Sequence, residues 1–194
     1  MDTPFRLDDT VEASLQDLQT VTSSGQSVAP VIAGVKTYAP TNHVDHRGRL
    51  FEVYPGQNEF WHEPVVYCYS WSIRSRTAKG WGLHLKKDDR YTLIHGEALS
   101  VLYDARLDSP THGLVQKVPL SAHGTRQLLI PKGVWHITLN LTETEAFLIN
   151  HPTQVYDHAH PDRLLLAWDS LAIPFDLASL FPIQLTSCGN GDCH

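Results

Sequence analysis

The order of apolar and polar positions divides the chain into two parts. In residues 1–30, apolar side chains recur at the spacing of one helix face, at Val11, Leu15, Leu18 and Val21. This spacing predicts a short amphipathic N-terminal helix with Asp9 or Thr10 as its N-cap. The Gly- and Ser-containing stretch that follows is typical of a linker, so we interpret residues 1–30 as an extension of the main domain.

From about residue 31 the pattern changes to short apolar or alternating runs that are rich in β-branched and aromatic residues. The runs are PVVYCYSWSI, YTLIHGEALSVLYDA, GLVQKVPL, RQLLIP, ITLNL and EAFLIN. They are separated by turn-forming segments, namely DHRG, RTAKG, DSPTHG, SAHGT, PKG and HPTQ. This alternation predicts an all-β jelly-roll barrel over residues 31–183, one helical turn near residues 177–180, and a flexible tail at 184–194. Such a barrel holds one ligand among its inward-facing side chains.

Composition and charge narrow the range of partners. The chain has 194 residues, of which 42% are hydrophobic, and this length suits one domain with an extension. A net charge of −6 argues against a nucleic acid or an anionic membrane as partner and leaves a small-molecule substrate. No apolar run reaches the roughly 18 residues of a membrane span. The N-terminus lacks the basic and then apolar order of a secretion signal, so we expect a cytoplasmic location.

Two of the 12 histidines stand out by their context. His84 lies in GWGLHLKKDDR, among glycine and apolar residues. The segment PKGVWHITLN fits the second cupin signature, P-x-G-x-x-H-x-x-x-N, through Pro131, Gly133, His136 and Asn140. This signature predicts that His136 points into the barrel. Metal-binding cupins also carry a His-x-His pair, but Lys86 stands two residues after His84, so the sequence predicts no bound metal and no other cofactor.

The order of the motifs resembles the dTDP-4-dehydrorhamnose 3,5-epimerase family, the RmlC-like cupins. The matching pieces are DHRGRLFEVY at 45–54, GLH at 82–84, HGEALSVLYDARLDSPTHG at 95–113, LS at 120–121, LLIPKGVWH at 128–136, PTQVY at 152–156 and AWDS at 167–170. Together they cover about residues 40–175. The resemblance implies an isomerase of carbohydrate biosynthesis that acts on a nucleotide-linked 4-keto-6-deoxy sugar or a related polar metabolite.

The resemblance also implies a mechanism without a metal. A base removes a proton from the carbon next to a ketone, and the proton returns to the other face. The base falls on His84 and the carboxylate that orients it on Asp169, while Arg47 and Glu52 fall on nucleotide or diphosphate contacts that reach across a homodimer. Neutral imidazole suits this role, because it titrates near neutrality and a carboxylate behind it stabilises the imidazolium.

The chain departs from the family pattern at three places. The catalytic tyrosine of the family aligns with Asn150, and an asparagine does not release a proton near neutral pH, so Tyr156 is the alternative acid. The arginine of R-G-L-H is replaced by Trp81, and the family's Q-x-N strand reads Tyr69-Ser70-Trp71. We therefore expect a more aromatic pocket, in which these residues contact the substrate.

The enolate formed in this reaction needs a positive or hydrogen-bonding group. Among the residues after His84, Arg90 is expected to point inward and to supply it, with His136 and Asn150 as further substrate contacts. Two other functions stay open at this point. One is a metal-dependent cupin oxygenase or lyase that uses His84, His136 and a carboxylate, and the other is a cupin that binds a ligand without catalysis.

Overall fold

The computed structural model describes residue 11 and residues 14–180. The chain divides into two units, residues 1–30 and 31–194. The strands of the second unit are β1 Lys36–Tyr38, β2 His43–Asp45, β3 Gly48–Leu50, β4 Tyr69–Ile73, β5 Thr77–Leu83, β6 Asp89–His95, β7 Glu97–Asp104, β8 Val115–Ser121, β9 Gln127–Ile130, β10 Val134–Asn140, β11 Ala146–Asn150 and β12 Leu164–Leu165. A single 3-10 turn at Leu177–Leu180 confirms the helical turn predicted there.

Two five-stranded antiparallel sheets form a jelly-roll arrangement. The first sheet has the order β1-β9-β6-β11-β4 and the second the order β12-β5-β10-β7-β8, while β2 and β3 form a separate hairpin. Every strand pair is antiparallel. The all-β jelly-roll prediction is therefore confirmed.

The core lies on both faces of the second sheet, because successive side chains of a strand point to opposite faces. On β7, Leu102 joins the cluster that contains Leu93 and Leu148 of the first sheet, and all three are fully buried. Its neighbour Val101 joins a second cluster, which the segment after β12 covers with Ile173. The inner cluster holds the sheets together, and the outer cluster fixes the C-terminal segment.

Strand β5 was not expected, because the sequence analysis placed a break at RTAKG. Gly80 lies in the middle of β5 with a φ of +125°, which side-chain-bearing residues rarely adopt. A Cβ atom there would lie 2.5 Å from the main-chain oxygen of His136 and 2.7 Å from Cα of Ile137. The glycine that suggested a turn instead allows β5 to approach β10 closely.

The predicted N-terminal helix is absent from the described part of the first unit. Residues 14–20 have no regular structure, and Val21 forms an isolated antiparallel bridge with Ser27. Leu15 and Leu18 are 95% and 80% exposed. A short amphipathic helix gains most of its stability from packing of its apolar face, and these side chains are not buried. The predicted cap residues and the tail at 184–194 lie outside the described residues.

In the part of the chain that the structure describes, no helix has the length and hydropathy needed to cross a membrane.

Candidate active site

A cavity of about 450 Å³ is lined by residues from both sheets. Its aromatic lining consists of Tyr67, Tyr69, Trp71, Tyr91 and Tyr156. Its basic and acidic lining consists of Lys79, His84, Lys87, Asp89, His136, His158 and Arg163. A cavity of this size with apolar walls and a few converging polar groups is typical of a small-molecule site.

Three ionisable side chains meet in this cavity. Nε2 of His84 lies 3.2 Å from Oδ2 of Asp89, and Nε2 of His136 lies 3.6 Å from the same oxygen. His84 follows β5 directly and His136 lies on β10, so both imidazoles come from the second sheet, whereas Asp89 begins β6 of the first sheet. All three residues are buried. We refer to His84, Asp89 and His136 as the His–Asp–His cluster.

Asp162 holds His84 in place. Its main-chain oxygen accepts a hydrogen bond from Nδ1 of His84, and its two carboxylate oxygens accept the main-chain N–H groups of Leu85 and Lys86, each at 2.9 Å. From the other side, the N–H of Gly133 donates to the main-chain oxygen of His84 at 2.7 Å. In the neutral ring these contacts place the proton on Nδ1 and the basic lone pair on Nε2.

Asn150 fixes the carboxylate of Asp89. Its Oδ1 accepts the N–H of Arg90 at 3.0 Å, which sets the orientation of the amide. Its Nδ2 then donates to Oδ1 of Asp89 at 2.8 Å and to the hydroxyl oxygen of Tyr69 at 2.9 Å. The hydroxyl of Tyr91 donates to Oδ2 of Asp89 at 3.3 Å. Asp89 therefore has a fixed position although it is fully buried.

The surroundings shift the pKa values of the site in opposite directions. Burial raises the pKa of Asp89, but the hydrogen bond with His84 and the charges of both imidazoles more than offset it, so that this pKa lies well below its ordinary value. Burial lowers the pKa of His136, with partial compensation by Asp89. Burial and the charge of Asp89 raise the pKa of Tyr69. At neutral pH the site contains an ionised carboxylate and a protonated phenol.

Several of the residues expected from the sequence do line the cavity. His84 and His136 belong to the His–Asp–His cluster, and Tyr69, Trp71 and Tyr156 form part of the aromatic wall. Asn150 does not line the cavity. It is fully buried behind the aromatic wall, where it contacts Tyr69 and Asp89.

Trp81 and Arg90 point away from the cavity, which corrects two expected substrate contacts. On β5, Gly80 and Gly82 line the cavity, so alternation turns Trp81 to the outer cluster, where its Nε1 donates to the main-chain oxygen of Trp168. On β6, Asp89 and Tyr91 line the cavity, and alternation turns Arg90 outward. Its guanidinium donates to three main-chain oxygens, those of Glu63, Pro64 and His151, and is fully buried.

Asp169 is not brought to His84, so the expected orienting pair is also corrected. Asp169 is exposed and lies in the segment that covers the outer face of the second sheet, next to Trp168, whose main-chain oxygen contacts Trp81. It lines a different depression, together with Trp168, Ser170, Leu171 and residues 173–177. The carboxylate at the imidazole is that of Asp89.

The two expected nucleotide contacts lie outside the cavity of their own chain. Arg47 is in the turn between β2 and β3, where it forms an exposed ion pair with Asp45 at 2.6 Å. Glu52 is exposed and lines another depression, next to Tyr38. Neither residue meets the His–Asp–His cluster within one chain.

The site residues predicted from the sequence did not include Asp89, Asp162, Lys79 or Arg163. Asp89 was detectable, because it lies two residues before Tyr91 and four before Leu93, and these alternate positions face inward. The residue expected to point inward from this segment was instead Arg90. Asp162 and Arg163 are distant from His84 in sequence, and the pairing of β12 with β5 brings their segment to the cavity.

The fold and the cavity define a class of protein, namely a cupin-type barrel with a buried acid–base cluster in a ligand-sized cavity. Residues 30–187 match the family model described as dTDP-4-dehydrorhamnose 3,5-epimerase. The chain belongs to this family of sugar epimerases, as the resemblance of its motifs predicted.

Individual relatives agree with this assignment. The spore coat polysaccharide biosynthesis protein SpsL of Bacillus subtilis is 34% identical over 148 residues, which cover 75% of this chain and 96% of SpsL. The dTDP-4-dehydrorhamnose 3,5-epimerase of Salmonella typhimurium is 29% identical over 160 residues, which cover 79% of this chain and 87% of that epimerase. In fold, the chain is similar to a dTDP sugar isomerase from Desulfovibrio desulfuricans, with a TM-score of 0.69 and 23% identity over 76% of this chain and 92% of the other.

Proposed function

We propose that this protein epimerises a nucleotide-linked 4-keto-6-deoxy sugar by removing and returning a proton next to the ketone. The observation that carries the proposal is the 3.2 Å approach of Nε2 of His84 to the buried carboxylate of Asp89, inside a cavity of about 450 Å³. The family assignment supplies the substrate class, because relatives bear the names dTDP-4-dehydrorhamnose 3,5-epimerase and dTDP-4-dehydro-6-deoxyglucose 3-epimerase.

His84 acts as the base in this proposal. Because Nδ1 is bound to the main-chain oxygen of Asp162, the lone pair of the neutral ring is on Nε2. When Nε2 takes the proton, the anionic Asp89 stabilises the imidazolium, because its carboxylate lies 3.2 Å from that nitrogen. Asp162 is a positioning residue, since it acts on the substrate only through His84.

An epimerase also needs a proton donor on the other side of the reacting carbon, and Tyr69 fits this need. It lies on β4 of the first sheet, whereas His84 and His136 come from the second sheet. Because its hydroxyl oxygen accepts a hydrogen bond from Asn150, its own proton is free to donate into the cavity. Tyr156 also lines the cavity, but Tyr69 is the better oriented phenol, because its strand β4 pairs with β11 and its hydroxyl is bound by Asn150 of that strand.

Basic side chains supply the remaining requirements. Lys79, Lys87 and Arg163 line the same cavity, and one cation is needed near the enolate oxygen and another near the diphosphate. Arg90, which the sequence analysis expected in this role, is on the wrong face of β6. The aromatic wall offers flat surfaces to a sugar ring or a nucleobase. The proposed reaction requires no cofactor.

The proposal includes a homodimer, as the resemblance implies, and a cytoplasmic location. In one chain Arg47 and Glu52 lie outside the cavity, so a nucleotide contact by these residues would reach the site of a partner chain. Light scattering during size-exclusion chromatography should give twice the chain mass of 21.8 kDa. A monomer under assay conditions would remove Arg47 and Glu52 from the proposed site.

Hydrogen exchange tests the reaction directly. dTDP-4-keto-6-deoxyglucose is incubated with the protein in deuterated water and followed by proton NMR. We expect loss of the signal at carbon 3, carbon 5 or both, and a decrease of about 10³-fold in this rate in His84→Asn. His123→Asn is the matched control, because this histidine is exposed on the loop before β9. Exchange that is equally fast in His84→Asn, or absent with every 4-keto-6-deoxy sugar nucleotide, would contradict the proposal.

A further inference from the structure

The His–Asp–His cluster has an arrangement of donor atoms that the proton-transfer role does not require. One ligand atom from each of its three residues lies within 4.8 Å of the others. Both imidazoles direct Nε2 to the same oxygen, Oδ2 of Asp89, at 3.2 and 3.6 Å. All three residues are buried.

The hydrogen bond that Nδ1 makes in each ring shows that Nε2 is the acceptor nitrogen of the neutral imidazole. Nδ1 of His84 is bound to the main-chain oxygen of Asp162, and Nδ1 of His136 to that of Val134 at 3.1 Å. A carbonyl oxygen accepts only, so both rings carry a proton on Nδ1. In this neutral state two lone pairs and a carboxylate oxygen face one another, and either a proton or a metal cation between them removes the repulsion. Metal-ligating histidines have this pattern, in which the far nitrogen donates to a carbonyl or carboxylate.

The distances also fit a metal ion. With bonds of about 2.1 Å to each ligand, neighbouring ligand atoms are separated by about 3.0 Å in an octahedron and about 3.4 Å in a tetrahedron. The separations of 3.2 and 3.6 Å from Oδ2 of Asp89 are close to these values. The ligands are also held in place, since Asn150 donates to Oδ1 of Asp89 and Gly133 donates to the main chain at His84.

We propose that His84, Asp89 and His136 form a binding site for one divalent transition-metal ion. Two imidazole nitrogens and one carboxylate oxygen favour zinc, iron, cobalt or nickel over magnesium and calcium, which prefer oxygen ligands. All three residues also line the cavity of about 450 Å³. Metal binding stands on this geometry alone and does not depend on the proposed epimerase activity.

Occupancy of the site has a consequence for the proton transfer, and this part rests on the proposed function. The metal bonds to the lone pair on Nε2 of His84, which is the lone pair that removes the proton. Metal-loaded protein should therefore be inhibited, and a chelator should restore the exchange rate. The cluster would then bind either a proton or a metal ion.

The binding experiment must exclude zinc or cobalt binding by two thiols near the C-terminus, those of Cys188 and Cys193. All proteins therefore carry Cys188→Ser and Cys193→Ser, and the full chain is treated with a chelator and then dialysed against zinc or cobalt. We expect one ion per chain by elemental analysis, and at least a 100-fold weaker Kd in both Asp89→Asn and His136→Asn. His123→Asn, which changes an exposed histidine, should bind with unchanged Kd.

A second measurement keeps the test valid if a variant is poorly folded. Zinc should raise the Tm of the parent protein and of His123→Asn, because a ligand that binds the native state stabilises it, and should not raise the Tm of Asp89→Asn. Stoichiometric binding that is unchanged in Asp89→Asn and His136→Asn would overturn the site. So would an absence of binding by the parent protein at micromolar zinc.

The activity assay separates the metal site from the proposed function. Inhibition of hydrogen exchange by zinc, relieved by a chelator, supports both. Exchange that requires zinc would support the site but overturn the role of His84 as base. If binding is observed and no substrate exchanges in either form, the proposed function fails and the metal site stands.

Discussion

Asn150 and Tyr69 lie directly opposite each other on β11 and β4, and the amide of Asn150 donates a hydrogen bond of 2.9 Å to the phenol oxygen of Tyr69. The same amide donates to Asp89 at 2.8 Å. One asparagine therefore connects the phenol that we propose as proton donor to the carboxylate that faces the proposed base. A residue that cannot release a proton has a positioning role here.

Tyr69→Phe should separate proton removal from inversion. His84 remains in place, so deuterium should still enter the substrate with retained configuration, whereas formation of the epimer should fall about 10²-fold or more. NMR distinguishes the two, because the epimer and the deuterated substrate give different signals. Tyr156→Phe is the comparison for the second phenol of the cavity. If Tyr156→Phe abolishes inversion and Tyr69→Phe does not, the donor is Tyr156.

Asp89→Asn should lower the exchange rate by about 10²- to 10⁴-fold, because an amide does not stabilise the imidazolium. Asp169→Asn should leave the rate unchanged, since Asp169 is exposed on the outer side of the second sheet. Rates for the two variants measured side by side test the corrected assignment. A large loss in Asp169→Asn alone would restore the pairing that the sequence suggested.

Arg163→Gln should raise the KM for the sugar nucleotide about tenfold with a smaller change in kcat, because it removes a charge-assisted contact to the substrate. Arg163 lies over Gly82 at the cavity wall, where a Cβ atom on Gly82 would be 3.6 Å from its Nε. The control is Arg126→Gln, an exposed arginine before β9. Equal KM values for Arg163→Gln and the unaltered protein would exclude a contact with the substrate.

Asp104→Asn should destabilise the fold by about 3 kcal/mol at pH 7, because Arg106, Ser109 and Thr111 all donate to this buried carboxylate. Urea unfolding measures the difference, and Asp108→Asn in the same loop, which is exposed, should change it little.

The effect of Asp104 should depend on pH. Burial raises the pKa of Asp104, but the hydrogen bonds from Arg106, Ser109 and Thr111 lower it by more than burial raises it. The pKa of Asp104 in the folded state therefore lies well below its usual value. Its stabilising contribution is then complete above the unfolded pKa of about 4 and is lost as the pH falls below it. The stability difference between the unaltered chain and Asp104→Asn should therefore shrink on acidification below about pH 4. A difference that grows in this range would contradict the prediction.

The period-two pattern of the sequence predicted the strands β4, β6, β7, β8, β9, β10 and β11, because alternation is a local property. The prediction was wrong at β5. Gly80 allows this strand to approach β10 closely, and no local pattern of the sequence reveals that contact. It was also wrong for the described part of the N-terminal segment, where Leu15 and Leu18 have the spacing of a helix but no burial to stabilise one.

The amino-acid sequence by itself determined the fold class, the family and the two histidines of the site, since each depends on short motifs of contiguous residues. Only the tertiary structure decided which carboxylate faces them. Asp169 matches a family motif, but its segment packs on the outer face of the second sheet, whereas β6 directs Asp89 inward and Arg90 outward. The identity of a residue is a property of the sequence, but its neighbours depend on strand register and sheet packing, which join positions far apart along the chain.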